Sequence, residues 1–214
     1  MTSGRLEAFT DGVIAIIITI MVLELKVPQG NDFAALASSI PILLAYVLSF
    51  VNVGIYWVNH HHMLHATDRI DGKVLWANLF LLFWLSLVPF VIRWMDEAGF
   101  TSLPTAAYGV VLGMAAICYI MLQWAIVACN GRSSRLAAAL GNNMKGKASL
   151  AMYAVAIPLA FVSPWIAVVL YVAIALNWFV PDRRIEAILG RRTSHPILNR
   201  LIAHCHAPRQ RGIR

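Results

Sequence analysis

Residues 4–26 read GRLEAFTDGVIAIIITIMVLELK, and this stretch decides the fold of the chain. Its uninterrupted apolar core runs only from Gly12 to Leu23, and ionisable side chains flank that core on both sides. A helix surrounded by lipid needs about 20 mostly apolar residues, and each ionisable group placed in hydrocarbon costs several kcal/mol. We therefore predict a membrane helix that is enclosed by other helices or by water rather than by lipid.

The composition of the whole chain agrees with a membrane protein. The 214 residues are 60% hydrophobic and 13% charged, with a mean hydropathy of +0.71. Soluble domains carry about a quarter charged residues. These values exclude a soluble globular domain, a disordered chain and a disulfide scaffold, and we expect the three cysteines to be free thiols.

The apolar runs predict an all-α protein with six membrane spans. The first four spans are Val13–Val27, Phe33–Val58, Val74–Trp94 and Leu103–Cys129. The fifth and sixth share the block Ala148–Val180, which Pro164 breaks into a tight hairpin because proline has no amide hydrogen and clashes with the preceding turn. Five spans or a re-entrant hairpin are the alternatives.

Basic residues distribute unequally between the predicted loops. Fifteen of the 17 Lys and Arg residues fall on one side of the six-span arrangement, and only Lys26 and Arg93 fall on the other. The positive-inside rule then places both termini in the cytoplasm. We divide the chain into a transmembrane domain over 1–181 and a basic cytoplasmic tail over 182–214. The tail either lies as a short helix on the anionic lipids of the inner leaflet or is partly disordered, and no motif suggests a nucleic-acid partner.

Helical periodicity places a narrow apolar stripe on the first helix. Its members follow i, i+4, i+7, i+11 spacing and are Ile16, Ile20, Leu23 and Val27, with Thr19 at the border. Such a stripe, taken alone, is typical of ordinary core packing.

Three ordered motifs are similar to a known family. The segment Arg5–Asp11, RLEAFTD, resembles the R-x-x-x-F-S-D signature that opens the transmembrane protein 175 family of potassium channels, with Thr10 keeping the hydroxyl of the usual serine. Residues 56–62, YWVNHHH, are similar to the end of that family's second helix. Residues 76–79, WANL, and the later Pro89 are similar to its third helix.

The resemblance implies a non-canonical potassium channel of the prokaryotic type, in a bacterial cell membrane. One six-helix repeat per chain implies a homotetramer whose first helix lines the pore. Carried onto this sequence, Ile16, Ile20 and Leu23 form the constriction, and Thr19 lines the pore and affects selectivity. No T-V-G-Y-G filter occurs here, so we expect passive conduction with a modest preference for K⁺ over Na⁺ and no cofactor. Near the outer mouth, Glu24 and Asp32 either concentrate cations or are solvated loop carboxylates.

The same resemblance gives the opening motif a structural and gating role. Its residues are Arg5, Phe9, Thr10 and Asp11. Their expected hydrogen-bond partners lie at the cytoplasmic ends of helices two and three, and are Asn59, His60, His61, His62, Trp76 and Asn78. Which histidine takes part is left open.

Other functions have weaker support in the sequence. His61 and His65 are four residues apart and could chelate a cation, but there is no H-E-x-x-H, and spans three to six contain no Asp, Glu or His. We therefore assign neither an enzyme activity nor a metal site. A secondary transporter and a non-conducting membrane scaffold remain the alternatives to a channel; a transporter would need more polar side chains at mid-membrane.

Overall fold

Helices account for the regular secondary structure of the residues that the computed structural model describes, which are 3–28, 30–67, 69–131, 134, 136–137 and 144–179. In chain order they are α1 Ser3–Leu23, α2 Phe33–Ser38, α3 Ile40–His65, α4 Gly72–Ser86, α5 Val88–Glu97, α6 Ser102–Asn130, α7 Met144–Leu159 and α8 Pro164–Phe179. The prediction of an all-α fold is confirmed for this part of the chain. The predicted tail over 182–214 lies outside it.

Within the described residues, four helical stretches are long and apolar enough to cross a membrane, and α4 and α5 together form the third of them. They are Ser3–Leu23, Ile40–His65, Gly72–Glu97 and Ser102–Asn130. The two helices of the predicted hairpin have 16 residues each, which is about 24 Å at 1.5 Å per residue, less than the roughly 30 Å of a hydrocarbon core. The chain is thus an integral membrane protein, and the count of six spans stays a prediction.

Helix α1 differs from the predicted first span at both ends. It begins at Ser3, ten residues before the predicted start, and it ends at Leu23. The amide of Leu25 bonds the carbonyl of Val22 at 3.2 Å, which closes the helix with a tighter turn. Pro28 also disfavours helix in the residue before it. Val27 therefore lies beyond the helix, and its assignment to the helical stripe is wrong.

Local sequence divides the predicted second and third spans. Asp32 caps the short α2 by accepting a hydrogen bond from the amide of Ala35 at 2.8 Å, and α3 starts anew with Pro41 in its first turn. Leu87 separates α4 from α5, because Pro89 cannot donate the amide hydrogen that a continuous helix would need. Both predicted spans are therefore two helical segments.

Glycines allow the late helices to approach α6 closely. A methyl group on Gly109 would overlap the hydroxyl of Tyr171 on α8, and one on Gly113 would meet Tyr153 on α7 at 3.5 Å. The Tyr171 hydroxyl in turn donates to the carbonyl of Thr105 at 3.2 Å. This close contact holds the α7–α8 hairpin against α6.

Polar contacts show which helix ends lie together. The side-chain amide of Asn130, at the end of α6, bonds both backbone groups of Arg69 in the link between α3 and α4, at 2.8 and 3.0 Å. At the opposite end, Arg93 of α5 contacts Glu24, just after α1, at 3.4 Å. The first turns of α1 lie beside the last turns of α3. Consecutive long helices therefore run antiparallel, with Arg69 at the amino-terminal end of α1 and Arg93 at the other end.

Candidate functional site

Helix α1 has one covered face and one uncovered face. The covered face consists of Leu6, Thr10, Ile14, Ile17 and Met21, all buried against the subunit. The predicted constriction residues lie on another face, and Leu23, Ile16 and Ile20 are 79%, 58% and 43% exposed. The predicted stripe is therefore separate from the core of its own subunit, and something other than that core must meet it.

Thr19 lies on the uncovered side of α1, between the stripe residues. Its hydroxyl bonds the carbonyls of Ala15 at 3.1 Å and Ile16 at 2.9 Å, both on its own helix. Because a threonine hydroxyl has a single hydrogen, these two bonds share it. The oxygen lone pairs are left to face whatever covers the stripe.

A buried polar chain fixes the amino-terminal half of α1. The side-chain amide of Asn78 on α4 donates to the hydroxyl of Thr10 at 2.9 Å, and its oxygen lies 2.8 Å from Nε2 of His60 on α3. Thr10 and Asn78 are fully buried, and His60 is nearly so. Three helices are thereby joined through groups that have no access to water.

The hydrogen-bond roles in this chain follow from its chemistry. Since the Asn78 nitrogen faces Thr10, its oxygen faces His60 and can only accept, so Nε2 of His60 must carry the hydrogen. In the neutral imidazole Nδ1 is then an acceptor, and this buried atom has no partner within the described residues. The arrangement fixes the tautomer of His60.

Asp11 bonds a tryptophan rather than the arginine of its own motif. Its carboxylate accepts a hydrogen bond from the indole Nε1 of Trp57 on α3 at 2.8 Å. The ring of Trp57 lies against that of His61, one helical turn further along. Trp57 was not among the predicted partners, although it belongs to the YWVNHHH motif.

Glu7 is a further contact that the sequence analysis missed. Its Oε1 lies 2.6 Å from Nδ1 of His61 and 3.5 Å from Nε2 of His65. Glu7 is four residues before Asp11, so the two carboxylates share one side of α1 and both face α3. The four-residue spacing of Glu7 and Asp11 in the sequence could have indicated that Glu7 also contacts α3.

Several predicted partners are placed elsewhere, and these expectations are corrected. Asn59 donates to the carbonyl of Ile55 on its own helix at 2.8 Å, and His62 contacts only the ring of His61 among the described ring pairs. Trp76 is exposed, because two residues along a helix turn it about 200° away from Asn78.

Two motif residues also point away from the network. Arg5 is exposed and has no hydrogen bond or ion pair to the described part of the chain, and Phe9 is about half exposed. The idea that Arg5 and Asp11 take partners among the same residues of α3 and α4 is therefore wrong for Arg5.

Charged contacts hold the other end of α1. Glu24 lies 3.4 Å from Arg93, which also bonds Glu97 at 3.0 Å, and Lys26 lies 3.3 Å from Asp96. These pairs are partly exposed and individually weak. Glu24 therefore has a structural contact with Arg93, and Asp32 caps α2. Neither acid is simply a solvated loop carboxylate.

The comparisons with known proteins identify the class. The family model for the endosomal/lysosomal potassium channel TMEM175 matches residues 5–89. A potassium channel of Chryseobacterium sp. (strain P1-3) is 49% identical over 189 residues, which are 88% of this chain and 98% of that protein. The endosomal/lysosomal proton channel TMEM175 of Bos taurus is 32% identical over 116 residues, 49% of this chain and 24% of that protein.

A solved structure agrees with this relationship. The crystal structure of a lysosomal potassium-selective channel TMEM175 homolog from Chamaesiphon minutus aligns with a TM-score of 0.65 at 28% identity, covering 84% of this chain and 97% of that one. The fold and the matched motifs define an ion-channel subunit rather than an enzyme. The chain belongs to the TMEM175 family, as a prokaryotic member.

Proposed function

We propose that four copies of this chain form a potassium-permeable channel in the bacterial cell membrane, with α1 of every copy lining a shared central path. Conduction is passive, with modest preference for K⁺ over Na⁺. The relatives named as potassium channels support the permeant ion. The uncovered stripe of α1 is the observation that carries the proposal.

Lipid is a poor partner for that stripe. The apolar core Gly12–Leu23 is about 18 Å long at 1.5 Å per residue, against roughly 30 Å of hydrocarbon. Arg5 lies on the same side as Ile16, because eleven residues turn a helix through about three full turns. A lipid-facing α1 would bring that arginine towards hydrocarbon. Four α1 stripes around water avoid this cost and keep Arg5 at the cytoplasmic mouth.

The stripe then supplies the constriction. Ile16 and Leu23 are seven residues apart, about 10 Å along the helix, with Ile20 between them. Rings of such side chains cannot hydrate an ion, so a narrow ring is dry and a slightly wider one conducts. Thr19 adds one oxygen per copy within this zone. So few oxygens replace little of an ion's hydration shell, which is why selectivity is modest.

The network under α1 sets its rotation. The Thr10–Asn78–His60 chain and the Asp11–Trp57 bond contact the helix on sides other than the stripe. A helix held this way keeps the stripe turned to the axis. Thr10 and Asp11 therefore act in structure and gating rather than in ion coordination.

The proposed topology has six spans, with α7 and α8 as short fifth and sixth spans and both termini in the cytoplasm. The arrangement of charges supports it: Arg69 lies at the amino-terminal end of α1, and Lys26 and Arg93 lie at the other. Residues 1–181 form the channel domain. Residues 182–214 are the basic cytoplasmic tail in this proposal.

A secondary transporter has less support. The largest described groove, about 740 Å³ between α1 and α3, is mostly apolar, whereas Asn52, Asn59, Gln123 and Ser149 line a separate pocket among α3, α6, α7 and α8 that measures about 40 Å³. That space suits a few water molecules rather than a solute.

Flux through liposomes tests the channel. Purified protein is reconstituted, and K⁺, Na⁺ and Cs⁺ fluxes are compared for wild type, Ile16→Asn and Leu23→Asn. Both substitutions hydrate the constriction, so conductance rises. Val22→Asn is the matched control, because Val22 is also exposed but lies about 100° around the helix from Leu23. Leak-level flux from intact wild-type tetramer, or equal effects of Val22→Asn and Leu23→Asn, would refute the proposal.

A further inference from the structure

Glu7, His61 and His65 bring three metal-ligating atoms together at the amino-terminal end of α1. The carboxylate oxygen of Glu7 and one ring nitrogen of each histidine all lie within 4.8 Å of one another. The two imidazole rings are themselves 4.4 Å apart, centre to centre. We propose that these residues bind a divalent transition-metal ion of the zinc type, which ties α1 to α3.

The donor set has the right chemistry. Imidazole nitrogen and carboxylate oxygen are ordinary ligands of Zn²⁺, at about 2.0–2.2 Å from the metal. Imidazole also suits Co²⁺, Ni²⁺ and Cu²⁺, whereas Mg²⁺ and Ca²⁺ prefer oxygen. The sequence shows only the two histidines at i, i+4 spacing. The fold supplies the third ligand from another helix, 54 residues earlier than His61.

The distances fit after a small adjustment. Ligands of a tetrahedral zinc ion are about 3.3 Å apart. The Glu7 oxygen is 3.5 Å from His65 Nε2 and 2.6 Å from His61 Nδ1. Binding must open the second of these distances by about 0.7 Å, and the two histidine nitrogens, which lie within 4.8 Å of each other, must take up a similar spacing. Side-chain rotation is sufficient, because Glu7, His61 and His65 are 19%, 40% and 51% exposed. The same exposure leaves room for water as a fourth ligand.

The site is independent of the proposed ion path. Glu7 precedes Ile16 by nine residues, which turns the helix through about two and a half turns and places the two residues on opposite sides of α1. The ion would contact the α3 side of the helix, beside the Asp11–Trp57 bond. A variant can thus lose metal binding and still conduct, and another can lose conduction and still bind the metal.

The test measures metal binding by the full-length chain in detergent. Because histidine and cysteine are metal ligands in general, the background removes those of the tail with His204→Ala, Cys205→Ser and His206→Ala. Zinc retained after dialysis is counted by mass spectrometry, and Co²⁺ absorption reports the coordination geometry. Glu7→Gln and His65→Ala remove ligands. His62→Ala is the matched control, a histidine of the same run outside the cluster.

We expect one zinc per chain and a tetrahedral Co²⁺ spectrum in the background and in His62→Ala. Losing a residue that only orients a ligand costs about 10- to 100-fold in metal affinity. Glu7→Gln and His65→Ala each remove a ligand, so each should lower the zinc affinity at least about 10-fold. Zinc should also raise the melting temperature of the background chain but not that of Glu7→Gln. The same melting curves show whether each variant is folded.

Two results would overturn the site. One is zinc retained equally by the background and Glu7→Gln, which would place the metal elsewhere. The other is that the chain with its native tail retains zinc while the background chain retains none. The Glu7–His61 contact would then be a hydrogen bond alone.

Discussion

Replacing Asn78 by leucine tests the anchoring of α1 most sharply. Leucine has the same branched arrangement of heavy atoms as asparagine, so both hydrogen bonds disappear without leaving a cavity. Thr10 loses the donor at 2.9 Å, and Nε2 of His60 loses its acceptor at 2.8 Å. Both groups are buried within the subunit and have no water to replace the lost partner.

The size of the effect follows from this burial. A buried polar group left without a partner costs about 1–3 kcal/mol. Hydrogen bonds between membrane helices average only about 0.6 kcal/mol, because the unfolded chain in a membrane also finds partners. The Thr10 hydroxyl can still donate to its own helix, whereas His60 Nε2 has no such escape. We therefore expect Asn78→Leu to lower the free energy of unfolding by about 1–3 kcal/mol.

Asn59→Leu is the matched control for this experiment. Asn59 is also buried on a helix of the same bundle, but it donates to its own α3. Unfolding of the purified protein in detergent is followed by thermal or denaturant melting, and Asn59→Leu should cost less than Asn78→Leu by at least about 1 kcal/mol. Equal costs for the two variants would show that the chain from Thr10 to His60 does not anchor α1.

Three further changes have defined outcomes. Gly109→Ala should destabilise the subunit by about 1–3 kcal/mol, because its methyl group overlaps a tyrosine of α8, whereas Gly113→Ala meets an ordinary contact and should cost less; equal melting temperatures contradict this packing. Asp11→Asn weakens the bond to Trp57 and should reduce tetramer yield in size-exclusion chromatography while the K⁺/Na⁺ flux ratio stays unchanged; an intact tetramer with an altered ratio contradicts it. Thr19→Val should leave melting unchanged and alter the flux ratio; an unchanged ratio removes Thr19 from the ion path.

Much of the architecture follows from local sequence. Apolar run length predicts the membrane helices, and Pro164 predicts the α7–α8 hairpin. The i, i+4, i+7 spacing groups Ile16, Ile20 and Leu23, and all three do lie on the uncovered side of α1. These features depend on residues close together in the chain, where helix geometry fixes relative position.

Contacts between distant helices were harder to predict. The motif indicated that Thr10 and Asp11 bond to α3 and α4, but the choice of partner depends on how each helix is rotated. A shift of one residue turns a side chain by about 100°. That rotation separates Trp57, which bonds Asp11, from Asn59, which bonds its own helix. Glu7 was missed for the same reason.

A density map of the purified protein in a lipid nanodisc tests the central claim directly. We predict a fourfold axis surrounded by four α1 helices, with Ile16, Ile20 and Leu23 nearest to it and Thr19 among them. A map with α1 at the periphery of the assembly, or with another helix around the axis, would contradict it.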